Sequence, residues 1–209
     1  MDPLQSLGFA LGTSFASGLN VYATVAAAGL FQRFGVIDLP PSLDILAHPL
    51  IIGIAATMFV VEFIADKIPL VDSAWDAVHT FIRPPAAMLI AWSAFGDVSE
   101  VWKLGAALIA GSVALTSHGA KASARAAANT SPEPFSNWIL SFAEDAVAIT
   151  LAWMAAEYPL LTAGIVVVLV VIATFVIWKL LGFFQRSIQR VRQAYRKAVA
   201  DTAAEPGGG

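Results

Sequence analysis

Residues 158–178 read YPLLTAGIVVVLVVIATFVIW, 21 positions without an Asp, Glu, Lys or Arg. A helix rises about 1.5 Å per residue, so about 20 apolar residues cross the ~30 Å hydrocarbon core of a bilayer. On the N-terminal side, residues 3–32, 45–61 and 104–120 are equally free of charge. The whole chain is 58% hydrophobic and 13% charged, with a mean hydropathy of +0.73. Membrane-spanning strands alternate in segments of about ten residues, and these runs do not alternate. Inside lipid the remaining way to satisfy every backbone group is the helix. The sequence therefore predicts an all-α polytopic membrane bundle.

Hydropathy and breakers predict helices over residues 4–31, 49–67, 86–95, 101–128, 135–157 and 160–181. The first is interrupted by the small, polar run Ser17-Gly18-Leu19-Asn20, and Pro69 stops the second. Residues 71–83 form an amphipathic segment, broken or kinked at Pro84-Pro85. The third helix is too short to span alone; it is a half-helix or continues the amphipathic segment across the kink. Ser131-Pro132-Glu133-Pro134 is a turn. With about six spans, residues 1–183 make the membrane domain. Residues 184–200 then form a basic amphipathic helix with Phe184, Ile188, Val191, Tyr195 and Val199 on one stripe. Residues 201–209, ending in three glycines, are expected to be disordered.

Ionisable side chains near hydrocarbon are costly, so they turn inward, pair, or face water. Glu62 and Asp66 lie one turn apart on one helix face, and Glu144-Asp145 lies about ten residues from either end of its helix. His118, Lys121, Arg125 and Asn129 are spaced three, four and four, which makes a basic stripe. Asp72, Asp76, His79 and Arg83, spaced four, three and four, make a mainly acidic one. Thr13, Ser17, Asn20 and Thr24 make a neutral polar stripe on the first helix. Three such stripes facing one another line a cavity.

The run Ser17-Gly18-Leu19-Asn20 with Thr24 matches His118-Gly119-Ala120-Lys121 with Arg125 at an offset of 101 residues. Each match is followed by a proline loop and a helix bearing paired acids. This predicts a 3+3 inverted repeat with interrupted helices, its halves at about 4–97 and 101–183, a plan common among transporters. The competing explanation is that small residues and prolines recur in any membrane bundle.

Orientation follows from basic residues in the loops. Six spans leave only Arg33 and Lys103 on one side and the other ten Lys and Arg on the side of the tail. Both termini are thus expected in the cytoplasm, in a bacterial inner membrane, with the basic tail on anionic headgroups. Met1-Asp2-Pro3 lacks the positive start of a cleavable signal. No cysteine is present, which excludes disulfides, thiolate catalysis and Cys-ligated metal. His79 and His118 alone give no zinc pattern. Neither a P-loop nor a dinucleotide fingerprint occurs, so no cofactor is expected; the basic tail resembles a nucleic-acid patch only in charge, and its place just after a span makes lipid, not nucleic acid, its expected partner.

The runs Glu62-Phe63-Ile64-Ala65-Asp66-Lys67-Ile68-Pro69, Trp75-Asp76 through Arg83-Pro84, and Asn129 to Pro134 with Glu144-Asp145 resemble a bacterial integral-membrane family known as a domain of unknown function. That resemblance covers most of residues 4–181 and implies no activity. A looser likeness joins the chain to inverted-repeat cation/proton exchangers carrying Glu-x-Gly-Asp-Lys-Thr in each half. Here Glu62 and Asp66 are four apart, Ala65 stands for the glycine and Ile68 for the threonine.

The expected function is transport of an ion or small solute through a central ionisable cavity open to the cytoplasm, possible as a homo-oligomer. Glu62, Asp66, Glu144 and Asp145 bind a cation or proton. Ser17, Asn20, Asp72, Asp76, His79, Arg83, His118, Lys121, Arg125 and Asn129 line the cavity. Two other readings stand beside it: a scaffold whose charges are internal ion pairs, and an enzyme acting on lipid headgroups with His79 or His118 as acid or base.

Overall fold

A computed structural model describes residues 2–68, 70–130 and 135–204, without side chains at 194 and 197–204. Pro69, the turn at Ser131–Pro134 and residues 205–209 lie outside the described residues, as do the side chains of Lys197 and Val199. Every described element is helical: α1 (Pro3–Arg33), a 3-10 segment (Pro41–Ala47), α2 (Pro49–Ala65), α3 (Val71–His79), α4 (Arg83–Ala94), α5 (Glu100–Ala128), α6 (Phe135–Glu157) and α7 (Pro159–Ala204).

α1 starts at a reciprocal capping box, in which Asp2 accepts from the Gln5 backbone and Gln5 returns a bond to Asp2. It is the central helix, and nearly every residue from Gly8 to Gly29 is buried. Its small side chains allow neighbours close. A Cβ on Gly18 would collide with the Ser117 side chain and the Ala114 carbonyl of α5. α1 is also where the regular structure fails, because Asn20 adopts φ −153° and ψ 101°. The expected interruption is present, but α5 runs unbroken, so the break has no counterpart at His118–Lys121.

Pro84 and Pro85 open a helix instead of breaking one. They occupy the first turn of α4, where a missing N–H costs nothing, and the chain breaks earlier, at Thr80–Ile82. α7 joins the last predicted span to the basic tail in one helix of 46 residues, about 69 Å long.

The molecule is apolar outside and polar within. Leu50, Ile54, Val168, Val171, Phe175 and Trp178 are all more than half exposed. Glu62, Asp66, Asp72 and Arg83 are 0% exposed. So much apolar surface around a charged interior is stable only where the outer solvent is lipid. Pro3–Arg33, Phe135–Glu157 and Pro159–Gln193 are long and apolar enough to cross a membrane. The 3-10 segment and α2, bent by 64°, make a fourth if taken as one span. The chain is a membrane protein.

A buried ladder of ion pairs at a broken helix

The break in α1 frees backbone groups in the interior, where each needs a partner. Asn20 serves the new helix start, its Oδ1 accepting from the Ala23 N–H at 2.9 Å in the manner of an N-cap. On the other side of the break, the Gly18 carbonyl accepts from Arg83 Nη1 at 2.8 Å and the Leu19 carbonyl from Lys121 Nζ at 3.0 Å. Two cations therefore sit on the negative end of the first half-helix, where the helix dipole favours them.

From there an alternating series of charges runs along α5. Arg83 Nη2 donates to Glu62 Oε1 at 2.5 Å. Lys121 Nζ donates to the same oxygen at 3.0 Å and to Asp66 Oδ2 at 3.1 Å. With Leu19, those three acceptors use all three ammonium protons. Arg125 donates to Asp66 Oδ2 and to the Asp66 carbonyl, both at 2.8 Å, and to Glu144 Oε2 at 2.5 Å. Lys121 and Glu144 stand 3.6 Å apart. Two stripes read from sequence, on α3 and α5, and the paired acids of α2 and α6 thus meet at one place.

At the inner end Arg83 Nη1 donates to His118 Nδ1 at 2.7 Å. An arginine cannot accept, so Nδ1 carries the lone pair and Nε2 the proton, shared between the Asp76 carbonyl at 3.0 Å and the Thr80 hydroxyl at 2.9 Å. His79 has the opposite tautomer: Nδ1–H donates to the Trp75 carbonyl at 2.8 Å, and Nε2 accepts from the Tyr22 hydroxyl at 3.1 Å. Trp75 stacks on its ring. At the outer end Asn129 donates to Asp72 and Ser73 and accepts from Asn137. Asn20 Nδ2 donates to Asp145 Oδ1 at 2.9 Å. Ser17 is buried in α1 with no hydrogen-bond partner for its hydroxyl.

The fourteen residues singled out from sequence therefore belong to, or border, one polar core: Glu62, Asp66, Asp76, Arg83, Lys121, Arg125 and Glu144 form its ion pairs, His118 bonds to Arg83, and Ser17, Asn20, Asp72, His79, Asn129 and Asp145 lie around them. One expectation changes: the core is closed. Glu144, at 9%, is the most exposed of its ion-paired side chains, so among the described residues these side chains do not line a chamber open to water. The side chains draw together because each cation finds several acceptors within reach.

Sequence reading missed Tyr22, Thr80, Ser141 and Asn137. The last two were within reach, because Asn137, Ser141 and Glu144-Asp145 recur at helical spacing on α6 and form a fourth polar stripe. Lys67 was also undervalued. Its ammonium donates to the Phe63 carbonyl at 2.9 Å and to Ser141 at 3.3 Å, and lies over the Phe63 ring. Burial there pushes its pKa down, against the opposing pull of Asp145 and Asp66.

Of six buried carboxylates among the described residues, Asp72 lies at the outer end; the other five, on Glu62, Asp66, Asp76, Glu144 and Asp145, share this core with the basic side chains of Arg83, Lys121 and Arg125. The excess is two negative charges when all are ionised. Adding Asp72 and Lys67 leaves it unchanged. Glu62 Oε2, Asp66 Oδ1, both Asp76 oxygens and Asp145 Oδ2 are buried without a hydrogen-bond partner. Among the described residues no group of three or more acidic or histidine side chains is placed to hold a metal ion.

The family model described as a domain of unknown function (DUF4126) matches residues 7–179. No curated protein and no solved structure matches the chain.

Proposed function

The chain belongs to the DUF4126 family, and we propose that it is a small transporter which moves an ion or small solute, coupled to a cation or proton, through its ionisable core. The observation that carries this reading is the excess of buried carboxylates at a broken helix. Interrupted helices whose freed ends meet charged groups are how transporter folds build binding sites at mid-membrane. A carboxylate held without a counter-charge in lipid marks an ion or proton path by default. The closed ladder is then the occluded state. Glu62, Asp66, Glu144 and Asp145 bind the cation or proton; Asn20, His118, Lys121 and Arg125 orient the solute or neutralise the acids.

In this reading the chain has six spans in two inverted halves, with α3 and α4 together making one span. It sits in a bacterial inner membrane with both termini in the cytoplasm. Arg186, Arg190, Arg192 and Arg196 of α7 meet anionic headgroups. Purified protein in liposomes, assayed for proton and alkali-cation flux under imposed gradients, tests it. Wild type carries a flux that Glu144→Gln abolishes; a wild type inert across the panel of ions refutes transport.

The density of pairing favours a second reading, a scaffold whose charges hold helices together. Lys121 has every proton engaged, and Arg125 reaches two carboxylates and a carbonyl. A scaffold shows no flux and loses stability at each broken pair.

A further inference from the structure

The five carboxylates of the ion-paired core are not equivalent. Glu62, Asp66 and Glu144 each accept directly from a cation, while Asp76 lies 3.7 Å from Arg83. Asp145 has no ion pair within 4.0 Å among the described residues; its one partner is the neutral amide of Asn20, on Oδ1. Its Oδ2 has no partner, and the residue is 6% exposed. We infer that Asp145 Oδ2, held at the break in α1 by Asn20, is the position at which the core binds a transported proton, while Glu62, Asp66 and Glu144 form a fixed frame with the three cations.

The inference deepens the transport reading and rests on it for the proton's movement across the membrane. A metal cation requires several oxygen ligands around it, and no such grouping exists among the described residues. A single orphaned oxygen suits a proton: an O–H bond forms at Oδ2 on uptake and breaks on release, returning the negative charge to the carboxylate. The charges that face Asp145 are Lys121 from α5, Glu62 and Asp66 from α2 and its end, and Lys67 beyond it. α1 supplies the neutral Asn20, and α7 brings no charged residue between Glu157 and Lys179. Release of the proton leaves a carboxylate at the start of the second half-helix of α1, whose dipole favours that charge.

Infrared difference spectroscopy on the full chain in lipid tests this through the carbonyl stretch of protonated carboxyl groups, identified by its shift in heavy water. Wild type shows the band, and Asp145→Asn removes about half of it, one of the two acids required by a charge excess in lipid. Asp145→Asn keeps an oxygen for Asn20 to bond, and Asp145→Glu restores the band, which separates loss of the proton from loss of the fold. An absent band in wild type, or one untouched by Asp145→Asn, overturns the assignment. A band reduced by about half in Asp145→Asn, from a protein that carries no flux, upholds the proton site and refutes transport alone.

Discussion

The Lys121 ammonium donates to the Leu19 carbonyl at 3.0 Å, so a cation from α5 closes the cut end of α1. The same ammonium holds Glu62 and Asp66, which makes it the member of the ladder with most to lose. Lys121→Met strands the Leu19 carbonyl and leaves Glu62 with Arg83, and Asp66 with Arg125, as their remaining cations in the interior. Breaking a buried pair from one side costs on the order of 3–5 kcal/mol. Denaturant unfolding in detergent is expected to show a loss of that size. A loss under about 1 kcal/mol, the range of exposed pairs, would mean that the pairing contributes little.

Asn20 both caps the second half of α1 and holds Asp145. Asn20→Ala removes the cap, worth about 1 kcal/mol, and leaves Asp145 without its remaining partner, so a loss of about 2–3 kcal/mol is expected. Asn20→Ser, which retains a capping oxygen but is too short to bridge to Asp145, should recover only part of it. Equal stability for Asn20→Ala and wild type would show that the break is held by something else.

Gly18 lets α1 approach Ser117 and Ala114 so closely that a methyl group collides with them. Gly18→Ala pushes α1 from α5 and lengthens the bond from Arg83 to the Gly18 carbonyl. Overpacking typically costs about 1–3 kcal/mol. Thermal unfolding of Gly18→Ala against Gly53→Ala, where a Cβ meets open space, gives the comparison: a clear drop for the first, little change for the second.

A double-mutant cycle on Arg125 and Glu144 measures coupling inside the ladder. Arg125→Gln and Glu144→Gln should each destabilise, and the pair together by less than their sum, with a coupling of about 1–3 kcal/mol. Simple additivity would mean that the 2.5 Å contact carries no net interaction.

The class of the fold and the charged members of the polar core were legible because lipid imposes two simple rules: long apolar runs become helices, and charges turn inward. Glu62, Lys121, Arg125 and Glu144 could be placed together on that ground alone. The break at Asn20 was legible because a small residue and a polar one interrupt an apolar run. Other features were not. Whether α5 breaks at His118–Lys121 depends on tertiary contacts; there His118 and Lys121 satisfy groups on α3, α1 and α2 without opening their own helix. The start of α4 at Arg83 was hidden because a proline pair can end one helix or begin another. The closed state was hidden too, since spacing gives the face of a helix but not its distance from the next.

The native chain has no cysteine, so a single Ser17→Cys substitution reports cleanly on whether the core opens. Ser17 is 0% exposed in the closed state and its hydroxyl has no partner to lose. Under a proton gradient in liposomes, a water-soluble maleimide should label that position, more slowly than a cysteine placed at exposed Glu100 but to completion. Permanent protection at Ser17→Cys, after the Glu100→Cys control has reacted fully, would contradict a core that opens to water.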